Sequence, residues 1–300
     1  MPDLRPYSCL RSLGIIAVYI AALSSSILAS RTCPRGCICN DQQLIARCDK
    51  SAQLDYVPHT LNPSVKELYL SHNNIRGIKS AFDLYKNLIL LDLASNNLQM
   101  LGEKNFIANS RMETILLMYN NISDIQPNTF SGLFALKKLD LSYNLIEALN
   151  GTTFQQLKAL QFLDLSFNNI RALNKDAFTG LHNLVHLNIS NNLIVKFTFD
   201  LFQHVPNLLS LNSSFNQLES LDDDQFNPLP KLTSLDLSNC YINKVDKFAF
   251  RGMNNLRHIF LDGNYLEVRS FIVFFSQKII YFYFRSFHQT LSWRTTSSSC

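Results

Sequence analysis

The stretch LKKLDLSYNLIEAL, residues 136–149, carries a pattern that returns along most of the chain. Leu139 and Leu141 bracket Asp140 as alternate residues of a strand do, so the two leucines point inward while the residues between and beside them face solvent. Asn144 follows, and an aliphatic, Ile146, comes two residues after it. LQFLDLSFNNIRAL at 160–173 and LTSLDLSNCYINKV at 232–245 repeat the arrangement. The marker recurs at Asn73, Asn96, Asn120, Asn144, Asn168, Asn192 and Asn216, is replaced by Cys240, and returns at Asn264. After a first step of 23 residues every step is 24, and a phenylalanine keeps the same period from Phe82 and Phe106 to Phe226 and Phe250. Nine units are well formed.

A period of this length is the signature of a solenoid, in which each unit buries its apolar face only against its neighbours. Strands this short cannot stand alone; stacked in parallel at ~4.8 Å per unit they make a curved sheet on the order of 40 Å long. The chain turns back at the asparagine, whose amide both donates and accepts and so satisfies backbone groups of its own and the neighbouring turn. The phenylalanines fill the convex side as a spine. Leucines, ladder asparagines and phenylalanines are therefore structural, and Cys240 reads as a ladder substitute rather than a reactive thiol, metal ligand or disulfide partner: a small, readily buried side chain whose thiol still reaches a turn carbonyl.

With 47% hydrophobic and 17% charged residues in 300, the chain is a folded protein. Residues 1–30 read as a secretory signal, with Arg5 and Arg11 around the apolar run LGIIAVYIAAL and small residues before a cleavage point between Ser26 and Ser30. Secretion permits disulfides, and Cys33, Cys37, Cys39 and Cys48 crowd into one stapled unit, for which four cysteines allow three pairings. An oxidising compartment disfavours the thiolates that zinc needs. Of the net +4, the signal carries +1 and residues 268–300 carry +4, leaving −1 for 31–267. No basic footprint for nucleic acid covers the folded part.

LKKLDLSYNLIEAL, LQFLDLSFNNIRAL and LTSLDLSNCYINKV resemble extracellular leucine-rich repeats of the typical 24-residue class, and CPRGCICNDQQLIARCDKSAQLDYVPHTL resembles that family's amino-terminal cysteine-rich cap, as in Slit, Toll and chaoptin-like receptor ectodomains. The resemblance implies an α/β solenoid: a horseshoe with a parallel concave β-sheet and an irregular or short helical convex side. It implies the pairings Cys33–Cys39 and Cys37–Cys48. The organisation expected is a signal at 1–30, a cap at 31–62, nine repeats at 63–267 and an aberrant tail at 268–300. That tail loses the repeat at Tyr283, Arg285 and His288 and contains only Cys300 where the family closes its core with a second cysteine-rich cap. Lys278 and Arg285 interrupt its apolar run, so a truncated or alternative terminus is preferred over a membrane span or lipid anchor.

No catalytic or metal-binding constellation stands out. His182 and His186 lie four apart but on a connecting segment and a strand. No GxSxG elbow or glycine-rich phosphate loop occurs, and no cofactor or small-molecule substrate is expected. The scaffold offers a surface instead. Asp92, Asp140, Asp164, Asn188, Asn212 and Asp236 form an outward polar column. Departures from it single out Leu90, Leu116, Met118 and Tyr119, joined by Ile89, with Phe162 and Phe260 further along, as exposed apolar residues of the kind that mark protein interfaces. Sequons place N-glycans at Asn121, Asn150, Asn188 and Asn212; those at Asn188 and Asn212 would screen the middle of the concave face. The expectation is a secreted or cell-surface binding protein of receptor or adhesion type, not an enzyme. Its partner would be an extracellular or membrane protein, or a second copy of itself in homophilic association; an extracellular-matrix binding protein is the alternative.

Overall fold

The computed structural model describes residues 33–49, 52–198 and 200–266, together with the strands at 271–275 and 278–282. The signal expected at 1–30 and most of the tail lie outside the described residues. One eleven-stranded sheet runs the length of the solenoid in chain order. Its first two strands, β1 (Ile38–Asn40) and β2 (Ile45–Arg47), form an antiparallel hairpin in the cysteine unit. One strand per coil follows: β3 (Glu67–Tyr69), β4 (Leu90–Asp92), β5 (Thr114–Leu116), β6 (Lys138–Asp140), β8 (Phe162–Asp164), β10 (His186–Asn188), β11 (Ser210–Asn212), β13 (Ser234–Asp236) and β15 (His258–Phe260). The intervening numbers belong to two-residue strands that pair on the return path, β7 (Ala148–Leu149) with β9 (Ala172–Leu173) and β12 (Ser220–Leu221) with β14 (Lys244–Val245). Equivalent positions lie opposite one another, as Leu139 does Leu163, so the period of the sequence becomes a set of columns in space.

Each three-residue strand buries its centre and turns its flanks outward, because strand side chains alternate. The sequence reading placed the leucines inward on this ground, and Leu139, Leu141, Leu163 and Leu165 are fully buried. Behind them the phenylalanines stack: Phe82, Phe106, Phe130 and Phe154 follow one another at centroid distances of 5.6, 6.5 and 6.0 Å, and Phe202, Phe226 and Phe250 at 5.9 and 5.8 Å. Burying one such ring contributes about 1.5–3 kcal/mol.

The asparagines close the turn as a ladder. Asn144 Nδ2 donates to Leu117 O, Leu141 O and Ser142 O at 3.0, 3.1 and 3.1 Å, while its Oδ1 accepts from Ile122 N at 3.0 Å. Two of these partners belong to the preceding coil, so each asparagine is also a rung between coils. The first rung reaches the cap, where Asn73 donates to Cys48 O at 2.7 Å and accepts from Leu54 N at 2.8 Å. Disulfides Cys33–Cys39 and Cys37–Cys48 staple that cap, and β2 continues into β3 in parallel register.

The convex side is of the irregular kind, with no helix among the described residues. Left-handed residues interrupt most of the returns, as at Ser80, Lys104, Asn128, Asp200 and Asp224. Gly132, at φ 94°, is the clearest instance, since a Cβ there would sit 2.5 Å from Ile107 Cα and 2.8 Å from Phe106 O. In the tail, β16 (Phe271–Phe275) and β17 (Lys278–Phe282) pair as an antiparallel hairpin.

Candidate functional site

The concave face consists of the outward residues of β3 to β15, in two columns. In the second column the carboxylates and amides are already engaged. Asp140 Oδ1 accepts from Ser142 N at 3.0 Å and from its Oγ at 2.7 Å; Asp164 does the same to Ser166 at 2.8 and 2.6 Å, and Asp236 to Ser238 at 3.0 and 2.7 Å. Asn212 makes the same pair with Ser214, at 3.0 and 2.8 Å. An acceptor two residues ahead of a free N–H starts the bend out of the strand. The Asp-Leu-Ser motif is therefore a turn device, and at Asp140 and Asp236 the second carboxylate oxygen is left for solvent or a ligand. Asp164 uses its second oxygen to accept from Asn188 Nδ2 at 3.0 Å.

Leu116 interrupts this column. Its register neighbours are Asp92 and Asp140, and its coil carries Met118 where the next has Ser142, so this coil gives up the side-chain turn bonds that its neighbour has. Leu90, Leu116 and Met118 are half-buried and share β4, β5 and the turn after β5. Phe162 stands apart from them. Lys138 of β6 intervenes, with its ammonium 5.1 Å from the Phe162 ring, and His186 flanks the other side at 6.2 Å. At the amino-terminal end Arg47 lies 3.9 Å over the Tyr69 ring, whose hydroxyl donates to Glu67 Oε2 at 2.9 Å. Burial first, and then Glu67, push the Tyr69 pKa above its ordinary value.

Tyr119 does not join the concave patch. It occupies the left-handed turn just before the ladder asparagine, at φ 57°, and points to the lateral edge. There its ring stacks on Tyr143 at 4.3 Å, and Tyr143 on Phe167 at 4.1 Å, in a run of rings 51, 38 and 41% exposed. The sequence reading missed Tyr143 and Phe167. The signal was an aromatic residue directly before the marker asparagine in three successive repeats, and again at Phe215.

His182 and His186 do not come together; His182 meets His204 instead, 6.4 Å away on the return path. No group of metal-ligating side chains occurs among the described residues. Cys240 holds its ladder place, buried, with Sγ 3.4 Å from Ser213 O and 3.6 Å from Ser238 O. Burial pushes its thiol pKa up to about 11, and a thiol kept protonated is a poor nucleophile. Among the sequons, Asn121 and Asn150 are exposed, whereas Asn188 and Asn212 are half-buried in the polar column.

Comparison with known proteins agrees with this architecture. A family model described as "Leucine rich repeat" matches residues 110–170, 163–218 and 210–266, more than half of the chain, and a second of the same description matches 61–77. Leucine-rich repeat-containing protein 3B of Homo sapiens is 31% identical over 107 residues, 34% of this chain and 40% of that protein. Human Reticulon-4 receptor-like 2 is 32% identical over 107 residues, 35% of this chain and 25% of that protein. The chain thus spans less than half the length of these curated relatives. Among solved structures, an LRR protein of Leptospira interrogans superposes with a TM-score of 0.61 at 28% identity over 68% of this chain and 50% of its own. TLR13, in a complex with ssRNA13, gives 0.56 at 27% identity over 68% of this chain and 36% of its own. With nine parallel coils, an asparagine ladder and these matches, the chain belongs to the leucine-rich repeat family.

Proposed function

We propose that the chain is an extracellular or cell-surface binding module of receptor or adhesion type, whose protein ligand docks on the amino-terminal half of the concave face. The observation that carries this is Leu116 with Met118. At these positions an Asp and a Ser would supply turn-forming hydrogen bonds, as they do in the next coil, and the chain has apolar side chains instead. Local structural rules give way most often where a surface is used. Beside this patch lie the free carboxylate oxygens of Asp92 and Asp140 and, one strand further, Phe162. An apolar centre rimmed by acids suits a protein ligand with a basic rim. A single-stranded RNA, such as the solved TLR13 complex contains, would meet a column of carboxylates here, so a protein ligand is favoured. Disulfides in the cap and sequons on the surface support an extracellular setting.

The test uses the secreted chain as bait against a library of extracellular domains, with Leu116→Arg and Met118→Arg compared on any partner found. Each should weaken binding at least tenfold while secretion and thermal stability stay as in the parent. A partner bound equally well by both variants would remove the concave patch from the interface.

A further inference from the structure

We propose that the sugar on Asn121 packs against the open face of the Tyr119 ring, so that the glycan caps the lateral aromatic stack. The inference rests on the secretory setting proposed above.

Tyr119 and Asn121 stand on either side of Asn120, whose amide points inward to Leu93 O and Leu117 O, both at 3.0 Å. Tyr119 and Asn121 are exposed while Asn120 between them is buried, so the ring and the sequon reach solvent two residues apart in one turn. Asn121 is exposed, and its backbone N–H donates to Leu98 O at 2.9 Å, which fixes the segment. Its side chain makes no hydrogen bond among the described residues.

The ring stack has a beginning. Tyr143 covers one face of Tyr119 at 4.3 Å, and the same turn position in the preceding coil is Ser95, at φ 54°, whose side chain is too short to cover the other. An aromatic face is electronegative at its centre, and the first sugar of an N-glycan, N-acetylglucosamine, presents a face of electropositive C–H groups. The other sequons lack this arrangement. Asn150 follows the outer strand β7, and Asn188 and Asn212 are held in the concave column with Oδ1 accepting from Ser190 N and Ser214 N at 3.1 and 3.0 Å. A Tyr in a left-handed turn is also locally unfavourable, and Asn191 and Asn239 show which residue suits that place, at φ 52° and 51°.

The experiment is a double-mutant cycle on the full chain secreted from a glycosylating cell, with Asn121→Gln and Tyr119→Asn. The second change removes the ring but keeps a residue at home in that turn. Peptide mapping should find Asn121 occupied. Asn121→Gln should lower Tm by about 2–4 °C in the parent, the shift of one aromatic-strength contact in a domain of this size, and leave Tm unchanged in the Tyr119→Asn background. If Tyr119→Asn does not fold, the proton NMR spectrum of the sugar decides: its C–H signals should move upfield in the native protein and return on unfolding. An occupied Asn121 with equal effects in both backgrounds, or without that upfield shift, overturns the inference alone. A chain without sugar at any sequon overturns both it and the secretory reading.

Discussion

Replacing Cys240 by Asn should stabilise this protein, and the structure gives the size of the effect. At Asn216, one coil earlier, the amide donates to Ile189 O and Ser213 O at 2.9 and 3.0 Å and accepts from Ile194 N at 3.0 Å. The thiol of Cys240 has one weak donor, 3.4 Å from Ser213 O, and the Leu218 N–H that would meet Oδ1 faces sulfur instead. Asn at 240 supplies one true acceptor and a second true donor in a buried site. At a net ~0.5–1.5 kcal/mol per hydrogen bond, two bonds give about 1–3 kcal/mol. The reverse change, Asn168→Cys, should cost a similar amount, because Asn168 makes the full set to Leu141 O, Leu165 O and Ile146 N at 3.0 Å each. Urea unfolding at neutral pH measures both, read as a shift of midpoint at constant slope. The gap between parent and Cys240→Asn should widen in alkali. The thiol pKa rises from 9.0 to about 11 on folding, so stability present below pH 9 is lost as pH climbs toward 11, by about 2–3 kcal/mol, and the variant escapes that loss. A Cys240→Asn protein no more stable than the parent, beside a neutral Asn168→Cys, would refute the ladder as a source of stability.

Other outcomes follow from single positions. Gly132→Ala should destabilise by about 2–4 kcal/mol in thermal or urea unfolding, since left-handed backbone and the Ile107 main chain both oppose a Cβ. Cys240 should resist an aromatic disulfide reagent in the native protein and become labelled on unfolding, as read by peptide mapping of that position, because its sulfur is buried and protonated at neutral pH. Tyr85 donates from a buried hydroxyl to Pro58 O, and burial pushes its pKa up to about 12. Native absorbance should therefore show this tyrosine titrating late, and Tyr85→Phe should cost about 0.5–2 kcal/mol measured by urea unfolding.

Much of the candidate site was legible in the sequence, because a solenoid converts period into position. Leu90, Leu116 and Phe162 were placed outward from strand alternation, and β4, β5 and β8 hold them there. Tyr119 was grouped with them and stands elsewhere. Strand alternation ends at the turn, where a left-handed residue redirects the next side chain by an angle that hydropathy does not encode.

By itself the sequence determined the repeat, the inward leucines, the asparagine ladder with Cys240 as its substitute, and the family. These follow from a periodic pattern in which every unit must solve the same burial problem as its neighbours. Only the tertiary structure decided which polar residues are free and which apolar ones are covered. Asp140 and Asp236 turn one oxygen into the chain, the cap's β2 extends the sheet, and Tyr119, Tyr143 and Phe167 meet across coils 24 residues apart. Such contacts depend on the coil-to-coil spacing and on the turn geometry at each edge, and both are fixed only when the coils are stacked.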